Sequence, residues 1–201
     1  MAKNGWLPIT ASPNRELCAM RSAPAQLPIR IIAALALGLI ACVASAASLP
    51  PIRPVAHVDL PRFMGKWYLI ATIPTSYGRE AYNAVQTYSL RANGTIRTTF
   101  TFHDGSFAGT VKHLDSTGYV RAGTGNAVWG VELFGPFKLQ YIVAYLNPGY
   151  SQMIVARDKR DYVWVFARTP NVSSADYALL ESKVHDLGYP IAELRKVPQR
   201  W

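Results

Sequence analysis

Two short segments, about a hundred residues apart, constrain this chain more than anything else in it. Gly65-Lys66-Trp67-Tyr68 opens the folded part, and Tyr162-Val163-Trp164-Val165-Phe166-Ala167-Arg168 stands near its end. Between them lie short runs of β-branched and aromatic residues punctuated by turn residues, the pattern of an all-β sheet. The two segments read as the first and last strands of one closed sheet. Gly65 lets the chain turn tightly into its strand, Trp67 supplies a large plug, and Arg168 can stack its guanidinium on that indole, worth about 0.5–2 kcal/mol. These three residues are expected to form a structural floor rather than a ligand site.

The ordered set, with Val58-Asp59-Leu60, Phe134-Gly135-Pro136-Phe137 and Arg168-Thr169-Pro170, resembles the lipocalin family over roughly Val58 to Trp201. Within the family it is most similar to the bacterial, lipoprotein-type lipocalins. The resemblance implies an eight-stranded up-and-down antiparallel β-barrel with one C-terminal α-helix packed outside. It also implies binding of fatty acids or lysophospholipids, and a role in envelope maintenance or stress. The family often carries an aspartate after the strand from Tyr141 to Leu146, where this chain has Asn147-Pro148-Gly149-Tyr150. That departure removes an expected loop salt bridge.

The N-terminal region carries targeting information. Ile31 to Ala44 is apolar and uncharged, follows Arg21 and Arg30, and is shorter than the ~20 residues a membrane span requires. It reads as a signal-peptide core. Met20-Arg21 gives a short basic start of the usual kind, so residues 1–19 are expected to be an upstream extension and residues 20–41 the signal peptide. Two cleavage patterns overlap: Ala44-Ser45-Ala46 suits ordinary secretion, and Leu39-Ile40-Ala41-Cys42 suits lipidation of Cys42. Beyond Cys42 the chain has no cysteine, so no disulfide competes for that thiol.

Lipidation at Cys42 would make residues 42–57 a lipid-anchored tether. Leu49-Pro50-Pro51-Ile52-Arg53-Pro54 favours an extended geometry within it, with a reach of roughly 40 Å. By resemblance, Val43 in place of aspartate points to the outer membrane, with the periplasmic face as the expected side. Ordinary cleavage would instead leave a soluble periplasmic or secreted protein.

Residues 58–201 suffice for one core and one domain. From Val43 onward 17 lysines and arginines face 11 acids, a net charge of +6. The basic residues are scattered rather than ranked along a face with exposed aromatics between them, so no nucleic-acid partner is expected. The sequence leaves a homodimer open.

Asn93-Gly94 between two alternating runs predicts a hairpin whose turn residues both take positive φ. After Pro170 the period becomes helical. Ser173 is placed to cap a helix with Tyr177, Leu180, Val184 and Leu187 on one face, and Gly188 and Pro190 end it.

Side chains alternate along a strand, so an inward Arg168 brings Phe166, Trp164 and Tyr162 to the same face, with Leu69 and Ala71 above Trp67. The same reasoning assigns Phe100, Phe102, Trp129, Leu133, Tyr141, Val143 and Tyr145 to the lumen as candidate ligand-binding residues. A barrel of about eight strands can fill itself with side chains or hold one small ligand. A small lipophilic molecule is the economical partner, because about ten buried methylenes supply roughly 8 kcal/mol without a polar anchor. Arg79, Arg97 and Lys138 are the cations considered for an anionic head.

No cofactor or metal is expected. There is no G-x-S-x-G elbow, and His57, His103, His113 and His185 are dispersed without ligand spacing. The protein is accordingly read as a carrier or store of lipid rather than an enzyme. An esterase or isomerase on the same scaffold and a ligand-free structural barrel are the alternatives.

Overall fold

The structure is a computed structural model that describes residues 49–75, 77–133 and 135–201. The expected signal peptide, Met20 and Cys42 lie outside the described residues. Within them, a one-turn helix α1 (Leu60–Phe63) leads into eight antiparallel strands: β1 (Gly65–Ile73), β2 (Ala81–Leu90), β3 (Ile96–Asp104), β4 (Val111–Val120), β5 (Val128–Glu132), β6 (Lys138–Leu146), β7 (Gln152–Ala156) and β8 (Val163–Ala167). Helix α2 (Ser174–Asp186) and a two-residue strand β9 (Arg195–Lys196) follow.

Each strand pairs with the next in sequence, and β1 pairs with both β2 and β8, so the sheet closes into an eight-stranded up-and-down barrel. Closure removes the edges that would otherwise template aggregation. The seam between β1 and β2 is short, covering only Gly65–Tyr68 against Val85–Tyr88. Above it the C-terminal segment zips the gap: β9 pairs with Ala71 and Thr72, and the Gln199 amide donates to the carbonyls of Leu69 (2.8 Å) and Ala84 (3.1 Å). Nothing in the periodicity of this tail announced that role.

The barrel's two ends differ in what closes them. One end carries α1 and the β2–β3, β4–β5 and β6–β7 connections. The other carries the β1–β2, β3–β4, β5–β6 and β7–β8 loops and forms the mouth. The β2–β3 hairpin forms, but only Gly94 takes positive φ (+79°), while the Asn93 side chain accepts hydrogen bonds from Thr95. A side-chain-braced turn therefore replaces the expected pair of positive-φ residues.

Two apolar cores result. The inner one occupies the closed half of the barrel around Phe63, Trp67, Tyr88, Trp129 and Val143. The outer one lies between the barrel wall and α2, where Leu180 and Val184 are fully buried and Tyr177 and Leu187 are partly so. Ser173 caps α2, accepting from the Asp176 amide, and Gly188 ends it at φ +85°. The part of the expected tether that the structure describes packs against the barrel, Ile52 on the outer core and Val55 on the inner one. Ile52 is buried, the Ile52 amide donates to Asp158 (2.7 Å), and the Val55 amide donates to the Val143 carbonyl (2.9 Å). Both cores lie within one compact unit, Ser48–Trp201.

Candidate functional site

The floor of the barrel is built around Trp67. Its indole N–H donates to the Phe63 carbonyl (2.8 Å), which ties β1 to α1, the plug across the closed end. Asp59 caps α1 by accepting from the Arg62 amide, and Phe63 packs its ring edge-on to Tyr88 and Trp129, both at 5.2 Å. Arg168 lies 3.9 Å above the Trp67 ring and donates to the carbonyls of Arg62 (2.7 Å), Lys66 (2.8 Å), Phe63 (3.0 Å) and Tyr150 (3.2 Å). Burial holds its pKa below the usual guanidinium range, and a group of this basicity stays charged. Gly65 sits at φ +94°, a conformation that calls for glycine, with the Arg168 guanidinium in contact distance of where a Cβ would be.

Above this floor the inner aromatics are stacked and bonded. Trp129 lies parallel to Tyr141 at 4.9 Å, and the hydroxyls of Tyr88 and Tyr141 share a 2.6 Å hydrogen bond. Burial pushes both phenols well above their ordinary pKa, so the pair stays protonated and neutral. The loop expected to lose a salt bridge is instead held by Asn147, whose side-chain Oδ1 accepts from the amides of Ser151 (2.8 Å) and Gln152 (3.0 Å).

The upper half of the barrel is not filled. A cavity of about 490 Å³ opens at the mouth, within the usual size of small-molecule sites. Leu69, Phe100, Leu133, Tyr141, Tyr162, Trp164 and Phe166 line it. Phe102, Trp129 and Val143 also face inward but belong to the packed core beneath and beside it. Tyr145 does not join them. The register slips between Val143 and Tyr145, and this bulge turns Tyr145 to the outer face, where Lys183 of α2 sits 4.4 Å over its ring. A second bulge, between Leu69 and Ala71, sends Ala71 into the outer core and brings Thr72 to the cavity.

Sequence reasoning missed one part of the lining. The β7–β8 turn places Arg157 and Asp161 in the cavity wall as an ion pair at 3.2 Å. Arg157 is only 7% exposed, and its Nε and the Asp161 Oδ1 have no hydrogen-bond partner. Read along the chain, the charges of this turn look like a wet loop; only the three-dimensional turn brings the pair against the lumen. By contrast, Arg97 pairs with Asp115 on the exposed wall (3.1 Å), Lys138 caps the Tyr119 ring (3.7 Å), and Arg79 borders a separate crevice of about 100 Å³ beside β9. None of the three cations considered for a ligand head lines the lumen. Among the described residues no three His, Cys, Asp or Glu side chains converge on a metal-sized site.

A closed antiparallel barrel with a plugged floor, an open apolar mouth and an outer helix is the architecture of a calyx. Comparison with known proteins agrees: the family model of the lipocalin-like domain matches residues 58–199, and the chain belongs to that family. Outer membrane lipoprotein Blc of Escherichia coli (strain K12) is 30% identical over 149 residues, covering 73% of this chain and 82% of that protein. Temperature-induced lipocalin-1 of Arabidopsis thaliana is 27% identical over 154 residues, covering 72% of this chain and 81% of that protein. Among solved structures, lobster apocrustacyanin A1 superposes with a TM-score of 0.57 at 12% identity, covering 71% of this chain and 81% of that one. Insecticyanin of the tobacco hornworm gives 0.56 at 12% identity, over 74% and 84%. These last two share the fold alone.

Proposed function

We propose that the barrel binds and carries a lipophilic molecule with a long acyl chain, such as a fatty acid or lysophospholipid, in the bacterial cell envelope. The observation that carries this reading is the half-empty barrel: an apolar lumen above a fully packed aromatic floor, open at one end. Family membership supports a small hydrophobic ligand, and the relatives named outer membrane lipoproteins support an envelope location. Lipidation of Cys42, with anchoring at the periplasmic face of the outer membrane, is part of the proposal.

Burying about ten methylenes yields roughly 8 kcal/mol before ordering costs, enough for micromolar binding or somewhat weaker. The site residues are Leu69, Phe100, Leu133, Tyr141, Trp164 and Phe166 for the chain, with Arg157, Asp161 and Tyr162 nearest the polar head. Among the described residues that line the lumen there is no histidine or cysteine, and binding rather than turnover is the activity proposed.

The test is native mass spectrometry with lipid extraction on residues 49–201 purified without detergent. Starting at Leu49 keeps Ile52 in its core. A co-purifying acyl lipid near one per chain is the expected result. An empty protein that also refuses added fatty acid and lysophospholipid would sink the reading, and hydrolysis of the added ester would replace it with an enzyme.

A further inference from the structure

We infer that the rim of the open mouth is a bilayer-docking surface, so that the lumen opens onto the membrane itself. Four large apolar side chains stand exposed at this end: Phe137 on the β5–β6 loop (80% exposed), Tyr77 on the β1–β2 loop (43%), Val111 at the start of β4 (44%) and Leu49 beside the end of α2 (53%). They arise from different elements around one ring, which a solvated rim would not require. Burial of such side chains in a headgroup boundary is favourable in proportion to the apolar area removed from water.

The path of the chain says what covers them. Leu49 lies against Gly188, the Pro50 carbonyl accepts from Arg160 (2.6 Å) and the Ile52 amide donates to Asp158 (2.7 Å), so the N-terminal segment leaves from the level of the β7–β8 turn, at the mouth. Cys42 precedes Leu49 by seven residues, a span of at most about 25 Å. An acyl chain on Cys42 would therefore hold the mouth, not the floor, near the bilayer. The charges at this end fit the same partner. Asp158 is occupied by the Ile52 amide and Gln140, Asp161 by Arg157, and Arg160 by the carbonyls of Pro50, Asp158 and Leu187, which leaves the exposed Lys159 on that turn to face anionic headgroups.

Docking by the rim rests on the lipid-binding proposal only for its purpose, and it is measured without a ligand. Residues 49–201 contain no cysteine, so F137C, V111C and L90C each give one labelling site for an environment-sensitive fluorophore; Leu90 is an exposed apolar residue at the closed end and serves as control. With phosphatidylethanolamine–phosphatidylglycerol vesicles, the labels at 137 and 111 should brighten about threefold and shift to the blue, while the label at 90 should not change. Phe137→Asp in the V111C background should weaken partition about tenfold without lowering the melting temperature. Failure to float with the vesicles, an equal response at 90, or a self-associated dimer that shields 137 and 111 without lipid would each overturn the docking. Acyl-lipid binding to the unlabelled domain, measured separately, shows whether the carrier reading stands or falls on its own.

Discussion

Arg168 offers the sharpest separation of structure from binding. Its guanidinium donates to four carbonyls and covers Trp67 at 3.9 Å, yet it does not line the cavity. In Arg168→Ala the bonds to Arg62 and Lys66 are lost at exposed positions, where water can replace the donor at about 0.5 kcal/mol each. The Phe63 carbonyl keeps the Trp67 indole N–H, which limits its loss. The Tyr150 carbonyl loses a charged donor in a half-buried position, about 1.5 kcal/mol, and the stacked cation adds about 1 kcal/mol. With the packing lost around the stem, the variant should be about 3–5 kcal/mol less stable, a fall of about 8–15 °C in Tm for a domain of this size. Arg168→Lys keeps the charge but not the fork, and should recover less than half of the loss. Differential scanning calorimetry of residues 49–201 measures both variants, and acyl-lipid titration below the new Tm should give an unchanged Kd within about threefold. A Tm within about 2 °C of the parent, or normal melting with selective loss of binding, would refute the assignment of Arg168 to the floor.

Three further outcomes follow from the same geometry. Trp164→Ala should weaken acyl-lipid binding about tenfold, whereas Tyr145→Ala should leave it unchanged, because the bulge puts Tyr145 outside; fluorescence displacement measures both. Asp161→Asn leaves Arg157 as a lone cation in the wall, so a fatty-acid carboxylate should bind several-fold tighter while the matching monoacylglycerol is unaffected, and an equal change for both ligands would contradict the pairing. Burial raises the Tyr189 phenol to about 12, and raises Tyr88 and Tyr141 as well, so the folded state keeps protons that the unfolded chain releases from pH 10 upward. The stability these groups contribute is complete below pH 10 and falls as pH rises above it, through about pH 12 for Tyr189 and beyond that for Tyr88 and Tyr141, at about 1.4 kcal/mol per pH unit for each; urea midpoints at pH 8, 10 and 11.5 measure the slope, which Tyr189→Phe should reduce by about one proton.

The closed barrel and its outer helix could be read from the chain because each rests on a local signal that tertiary structure reinforces. Trp67 and Arg168 mark the first and last strands, Ser173 and Gly188 bound the helix, and strict alternation fixes which face turns inward. The lumen was legible as far as that alternation runs unbroken, as from Ile96 to Phe102. It failed at two bulges, because one extra residue reverses every later side chain while leaving the hydrophobic pattern intact; Ala71 and Tyr145 are apolar enough to fit either core. Phe63 and Tyr88 escaped notice for a different reason. Phe63 acts from a single helical turn too short to show a period, and Tyr88 shares a strand whose two faces are nearly equal in polarity. Arg157 and Asp161 meet across a turn, four residues apart, and no strand parity describes a turn.

The two halves of the lumen divide the work. Toward the floor, the large rings of Phe63, Trp67, Tyr88, Trp129 and Tyr141 find edges, stacks or hydrogen bonds, and the last barrel strand gives way there to a fork of charged donors on Arg168. Toward the mouth, the wall carries an incompletely satisfied ion pair, register slips between Leu69 and Ala71 and between Tyr82 and Val85, and a seam bridged by the C-terminal segment rather than by direct β1–β2 pairing. Filling the upper half with side chains would stabilise the barrel, since each buried ring contributes a few kcal/mol, but it would remove the space that distinguishes this lumen from a core. On the proposed reading, stability and binding are carried by different tryptophans of the same interior: Trp67 is fully buried in the floor under Arg168, and Trp164 borders the open cavity.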